Sequence, residues 1–141
     1  RLAYKYMLLS YQVKSDHRKP QWKASEKSLW KVEECIELDI FSYGINSKWT
    51  TNSGAKAIVW SYHRDSDSEK LVKIGEDHRR SSSIGIVDLG LAKFTCDHNN
   101  CWHGYPIDPA TDSVPSSILK IWQNTLGKKL ATKINQGKLK L

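Results

Sequence analysis

The segment 96–106 concentrates the side chains that could take part in chemistry. It holds two of the three cysteines and two of the five histidines in the chain. A histidine titrates near neutral pH and can act as a general acid or base, and a neighbouring phenol can donate a proton or a hydrogen bond to developing negative charge. We therefore take His103 and Tyr105 as candidate catalytic residues, held on a turn that Gly104 permits and Pro106 stiffens.

This pair points to cleavage of RNA by transesterification. That reaction needs a base for the 2′-hydroxyl, an acid for the leaving oxygen and cations around the phosphate, and it needs no metal. The segment 78–83 offers an imidazole, two guanidinium groups and several hydroxyls, so we assign His78 to the catalytic group and Arg79, Arg80 and Ser81 to phosphate binding. However, the segments 75–83 and 95–106 flank one predicted strand, so we expect them at its opposite ends.

The charge distribution favours an anionic partner. The chain has 22 basic and 15 acidic side chains, a formal net charge of +7, and no acidic residue follows Asp112. A cationic C-terminal region can bind the phosphates of nucleic acid or the carboxylates of an acidic protein. Alternatively, these lysines only form the solvated face of a helix. The further candidate nucleic-acid-binding residues are Lys93, Trp102, Lys120, Lys128 and Lys129.

The same segment raises the prediction of a zinc site. Cys96, His98, Cys101 and His103 are all residue types that bind zinc. Structural zinc sites usually take their ligands from two separate elements, whereas these four residues lie within eight positions. The alternatives are a disulfide between Cys96 and Cys101 in an exported protein, and two small thiols at the end of a strand. The proposed RNA cleavage itself requires no cofactor.

The aromatic composition keeps a second function open. The chain has six tryptophans and six tyrosines but only two phenylalanines. Tryptophan and tyrosine rings can stack on nucleic-acid bases, or they can fill a β-rich core. The alternative to an enzyme is a non-catalytic module that binds single-stranded nucleic acid or an acidic protein, with a structural Cys/His loop. In that interpretation the ring of His103 bonds a backbone carbonyl in a tight turn.

Hydrophobic periodicity predicts the elements that must position these residues. Alternation indicates about five strands, mostly antiparallel, within 2–13, 30–40, 55–62, 71–74 and 84–94. Glu34 breaks the phase of the second of these, as a bulge or as the junction between a short helix and a strand. From Pro115 the apolar spacing becomes three and four, which predicts a helix that Ser113 caps and Gly127 ends, followed by a helix over 128–136. The expected fold class is α+β, an antiparallel sheet with two C-terminal helices packed on it.

Length and missing motifs set the remaining expectations. A chain of 141 residues can bury a core as one domain, with a strand-rich region over 1–94, a Cys/His loop over 95–112 and a helical region over 113–141. The sequence has no Gly-rich phosphate loop, serine nucleophile elbow or HExxH motif, which argues against nucleotide-driven, serine-hydrolase and zincin chemistry. No apolar run is long enough to span a membrane, so we expect a cytoplasmic protein without a membrane partner, with secretion as the alternative if an N-terminal segment has been removed.

Overall fold

The described residues form two β-sheets and three α-helices, together with the loops and one 3-10 turn that connect them. The computed structural model describes residues 2–4, 7–18, 27–79 and 85–141, with the backbone alone at 2–4, 7 and 8. The helices are α1 (Glu34–Asn46), α2 (Ser116–Leu126) and α3 (Lys128–Asn135). The strands are β1 (Leu2–Tyr4), β2 (Met7–Tyr11), β3 (Leu29–Trp30), β4 (Thr50–Ser53), β5 (Lys56–Tyr62), β6 (Gly75–Asp77), β7 (Val87–Leu89), β8 (Leu91–Cys96) and β9 (Cys101–Ile107).

The larger sheet has six strands in the order β1-β2-β9-β8-β5-β4. All neighbouring pairs in it are antiparallel except β2 with β9, which is parallel. The α+β class, the mostly antiparallel sheet and the two C-terminal helices predicted from the sequence are thereby confirmed. Among the described residues, no helix combines the length and the apolar character that crossing a membrane would require.

Helices cover both faces of this sheet. Along β8, Leu91 belongs to the cluster that contains α2 and α3, whereas Ala92 and Phe94 belong to the cluster that contains α1, as strand alternation requires. Trp122 of α2 packs edge-on against Tyr62, with ring centroids 5.1 Å apart. On the other face, Phe41 of α1 contacts the rings of Phe94 and Trp102.

Helix α1 replaces the strand expected over 30–40. The alternation behind that prediction also contains a helical spacing, because the buried positions Glu37, Ile40, Phe41 and Gly44 are three or four residues apart or adjacent. At Gly44 the helix approaches β5 so closely that a Cβ atom would lie 2.7 Å from Val59 Cγ1. Helix α1 continues to Asn46, and strand β4 follows at Thr50–Ser53.

The smaller sheet, in the order β3-β6-β7, packs beside β9. A Cβ atom on Gly75 of β6 would lie 2.4 Å from Pro106 Cγ. Ser28 Oγ donates a hydrogen bond to the Pro106 carbonyl at 2.7 Å, and Trp30 Nε1 donates one to the Gly104 carbonyl at 3.1 Å. The Gly75 contact brings the start of β6 next to the C-terminal end of β9. Two predictions are corrected here, since 75–77 is a strand, and the predicted strand over 71–74 is reduced to an isolated antiparallel bridge of Leu71 with Arg64.

The Cys/His segment is a β-hairpin and not the loop expected over 95–112. Strand β9 pairs with β8 in the register Cys96↔Trp102 to Leu91↔Ile107. Asp97 holds the intervening turn, because its Oδ1 accepts hydrogen bonds from the backbone N–H groups of Asn99 and Cys101. Gly104 serves close packing and no turn, since a Cβ atom there would lie 2.1 Å from Phe94 Cδ1.

The C-terminal helices follow the prediction with one correction at the cap. Pro115 is the N-cap residue of α2, and no side chain caps this end, so Ser113 does not have the predicted role. Gly127 ends α2 with a φ of +92°, a backbone conformation that glycine adopts without strain. Helix α3 starts at the next residue, which keeps the two helices in contact.

Candidate active site

Alternation along β8 and β9 places the expected catalytic residues on one sheet face. Lys93 lies opposite Tyr105, and Thr95 lies opposite His103. All four residues are partly exposed, and Thr95 Oγ1 is 3.2 Å from His103 Nε2. His103 and Tyr105 are therefore two positions apart on the same strand face, next to a lysine.

His17 joins this group from a distant segment of the chain. Its imidazole stacks on the ring of Tyr105, with centroids 5.0 Å apart and planes inclined by 11°. Its Nδ1 lies 2.8 Å from the carbonyl oxygen of Ser28. Because a carbonyl only accepts hydrogen bonds, Nδ1 carries the proton, and Nε2 of the neutral ring keeps its lone pair. We call His17, Lys93, Thr95, His103 and Tyr105 the His–Tyr strip.

Burial lowers the pKa of both imidazoles. For His17 the hydrogen bond to Ser28 opposes this shift, and the nearby charge of His103 adds to it. For His103, burial lowers the pKa first and the charge of Lys14 lowers it further, against a smaller opposing effect of Asp97. Both rings are therefore neutral at a lower pH than an ordinary histidine, and the charges of the two rings interact.

Two cations, Lys93 and Arg79, and the carboxylate of Asp112 act on the phenol of Tyr105. Lys93 Nζ lies 3.3 Å from Asp112 Oδ1 and 5.2 Å from the ring centroid of Trp60. Burial raises the pKa of Tyr105, and the neighbouring charges of Lys93 and Arg79 partly offset that rise. The phenol therefore stays protonated at neutral pH, where it can donate a hydrogen bond.

Arg79 lies closer to the strip than the sequence predicts. Its segment is expected at the opposite end of a strand, but β6 packs on Pro106 and brings the guanidinium within electrostatic reach of Tyr105. There it forms an ion pair with Asp77, with Nη2 2.8 Å from Oδ2. Arg80 and Ser81, the other expected phosphate contacts, lie outside the described residues.

His78 does not join the strip. Its Nε2 lies 2.9 Å from Glu76 Oε1, in a cluster that also contains Lys73 and Lys31. Within the described chain its ring bonds to none of the strip residues. The prediction that His78 shares the catalytic group is therefore not supported, because its imidazole is engaged on the smaller sheet.

The remaining predicted nucleic-acid contacts divide into two groups. Trp102 is only 6% exposed and packs on Phe41, with ring centroids 5.4 Å apart, so its indole is not available to a base. This prediction was wrong because Trp102 alternates with His103 on β9 and faces the opposite side of the sheet. Lys120, Lys128 and Lys129 are exposed on α2 and α3, and none of them pairs with an acidic group among the described residues.

The predicted zinc ligands are not brought together. Cys96 shares the face of its strand partner Trp102, whereas Cys101 and His103 alternate to the other face, and His98 is exposed in the turn. No group of three or more His, Cys, Asp or Glu side chains among the described residues is arranged to hold a metal ion. The three cysteines are free thiols, and the opposite orientations of Cys96 and Cys101 explain why this hairpin does not join them.

The aromatic residues mainly build the core. Five of the six tryptophans are buried, namely Trp30, Trp49, Trp60, Trp102 and Trp122, and Trp22 lies outside the described residues. An exposed row of tryptophans for stacking on bases is therefore absent from the described strands of the sheet. The five described tryptophans therefore contribute to packing of the core.

Comparison with known proteins finds no match for this chain. The searches of family models, curated proteins and solved structures each returned no match. The candidate function therefore rests on the geometry and charge of the site itself.

Proposed function

We propose that this chain is a metal-independent nuclease that cleaves RNA at the His–Tyr strip. The observation that carries the proposal is the stacking of the His17 imidazole on Tyr105, with His103 two positions away on the same face of β9 and its charge acting on His17. Two imidazoles can supply the base and the acid that phosphodiester transesterification needs.

His17 is the proposed general base. Its Nδ1–H is held by the Ser28 carbonyl, so Nε2 accepts the proton of the 2′-hydroxyl. The 2′-oxygen then attacks the adjacent phosphorus, and the bond from phosphorus to the 5′-oxygen breaks. His103, in its protonated form, donates the proton to the leaving 5′-oxygen. The products are a 2′,3′-cyclic phosphate and a 5′-hydroxyl end.

Lys93, Lys14 and Tyr105 are the proposed stabilisers of the transition state. The charges of Lys93 and Lys14 act on Tyr105 and His103 respectively, so both reach the same surface. A phenol whose pKa is raised remains a hydrogen-bond donor and can bond a non-bridging phosphate oxygen. No acidic residue follows Asp112 in the chain. The lysines beyond it attract the RNA phosphates without regard to sequence, so binding depends on salt.

The alternative function is binding without turnover, to single-stranded nucleic acid or to an acidic protein. The observation in its favour is the set of exposed lysines on α2 and α3 that lack acidic partners among the described residues. Such a surface binds phosphates or carboxylates without any chemistry. Affinity that falls steeply with salt, with the RNA left intact, is the signature of this alternative.

A substrate that lacks the 2′-hydroxyl groups tests the proposal. We would incubate the protein with an end-labelled single-stranded RNA and with the same oligonucleotide carrying 2′-deoxy sugars throughout. The expected result is cleavage of the RNA alone, with fragments that end in 2′,3′-cyclic phosphate. Cleavage of both strands would contradict attack by the 2′-oxygen, and no cleavage of either would favour the binding module.

A further inference from the structure

A largely buried ion pair joins Glu37 of α1 to Arg18, the residue that follows His17, and the proposed chemistry does not use it. Glu37 of α1 is fully buried, and its Oε1 accepts hydrogen bonds from Arg18 Nη2 at 2.7 Å and Nε at 3.2 Å. The hydroxyl of Tyr11 donates to the other carboxylate oxygen. Arg18 Nη1 donates to the carbonyl of Val32 at 2.7 Å, so the guanidinium is held through all three of its nitrogens.

Arg18 directly follows His17 in the chain. The segment between β2 and this arginine is fixed at its start, where the backbone N–H of Gln12 donates to the Trp102 carbonyl at 2.8 Å. A single 3-10 turn over Ser15–His17 follows, and the backbone N–H of Arg18 closes it on Ser15 at 2.9 Å. The position of the His17 ring on Tyr105 therefore depends on where Arg18 is anchored.

Stability alone does not account for this network. Burial raises the pKa of Glu37 and opposes its ionisation, which the hydrogen bonds from Tyr11 and Arg18 only partly offset. Apolar residues of similar volume often stabilise a fold as well as a buried ion pair does. A bidentate guanidinium contact, in contrast, fixes orientation as well as distance.

We propose that Arg18, Glu37 and Tyr11 are positioning residues that hold His17 against Tyr105 in the orientation needed for proton transfer. The effect on catalysis rests on the proposed function, whereas the effect on the orientation of His17 does not. The network acts through His17 and has no contact with substrate of its own.

The test replaces the whole network by apolar side chains of similar volume, in the variant Tyr11→Phe/Arg18→Met/Glu37→Met. Expected results are cooperative unfolding as in the wild type, a His17 pKa measured by NMR that rises toward the ordinary value of about 6.5, and a kcat reduced at least about tenfold with KM within about twofold. The matched control is Arg64→Met/Glu69→Met, which removes a partly exposed ion pair and the hydrogen bond from Arg64 to the Thr125 carbonyl elsewhere in the chain, and should leave the His17 pKa and kcat unchanged.

Three outcomes decide the proposal. A folded triple variant with the wild-type His17 pKa would overturn it. If the triple variant does not fold, Arg18→Lys keeps the charge and loses the guanidinium fork, and an unchanged His17 pKa in that variant would overturn the proposal equally. If the wild type does not cleave RNA, the proposed function fails, while a raised His17 pKa in the variants still supports the positioning of His17.

Discussion

The imidazole of His17 lies nearly parallel to the phenol ring of Tyr105, with ring centroids 5.0 Å apart. This contact joins a 3-10 turn after the second strand to the middle of the ninth strand. It buries the imidazole, which lowers its pKa, and it places a proton acceptor beside a protonated phenol. The proposed chemistry depends on this relationship more than on any single residue.

Removal of either imidazole should abolish most of the turnover. For His17→Ala and His103→Ala we expect kcat to fall about 10²-fold to 10⁴-fold, because each variant lacks the proposed base or acid. The control is His78→Ala, whose imidazole bonds to Glu76 on the smaller sheet and should leave kcat within about twofold of the wild type. Steady-state kinetics and thermal unfolding of each variant provide the measurement. Equal activity in all three variants would rule out the assigned roles.

The pH dependence should reflect two lowered pKa values. The active form needs neutral His17 and protonated His103, so activity falls at low pH as His17 is protonated and at high pH as His103 loses its proton. Because burial lowers both pKa values, kcat/KM should follow a bell with its maximum on the acid side of the ordinary histidine pKa of about 6.5. A maximum in the alkaline range would contradict this assignment.

The same shifts predict how stability changes with pH. In the unfolded chain these histidines bind protons at a higher pH than in the folded protein, so protonation favours unfolding. Their contribution is fully present above about pH 6.5 and is lost as the pH falls through the lowered pKa values. Denaturant titrations of the wild type and of the double variant His17→Ala/His103→Ala measure this effect. The variant should lose less stability between about pH 7 and about pH 5, and an identical loss would show that other groups are responsible.

Two substitutions at Tyr105 separate the hydroxyl from the ring. Tyr105→Phe keeps the stacked ring, so the pKa of His17 should stay low while kcat falls about 10²-fold through loss of the phenol donor. Tyr105→Ala also exposes His17 to water, which should raise its pKa toward the ordinary value. NMR titration and single-turnover rates provide both readouts. Full activity of Tyr105→Phe would mean that the phenol only packs.

Gly104→Ala should destabilise the hairpin without touching the chemical groups. The added Cβ atom would lie 2.1 Å from Phe94 Cδ1 in the core between β9 and α1, so strand or ring must move. We expect the free energy of unfolding to fall by about 1–3 kcal/mol, as for other overpacked cores. Denaturant unfolding measures the change, and a loss below about 0.5 kcal/mol would contradict the close packing.

The fold was predictable where one periodicity dominates. The run 55–62, in which Ile58, Trp60 and Tyr62 occupy alternate positions, forms β5, and the three-and-four spacing after Pro115 forms α2. The run 30–40 satisfies both patterns, and the helix over most of it is stabilised by tertiary packing of Gly44 and Phe41 on the sheet. Local sequence could not decide between the two periods there.

The site was predictable only in the portion that one hairpin supplies. His103, Tyr105 and Lys93 meet because neighbouring strands place them in register. His17 carries no local signal, since it lies in a polar stretch and reaches the site through contacts with Ser28 and Tyr105. Long-range contacts of this kind follow from strand order, which the sequence pattern does not specify.

Incubation of the purified protein with end-labelled single-stranded RNA at low salt, with and without excess EDTA, tests the central claim most directly. The gel would carry the wild type beside His17→Ala and His103→Ala, with His78→Ala as the matched control. We predict fragments in the wild-type and His78→Ala lanes, in the same amount with and without EDTA, and intact RNA in the other two lanes. Intact RNA in every lane, or cleavage that EDTA abolishes, would contradict a metal-independent nuclease at the His–Tyr strip.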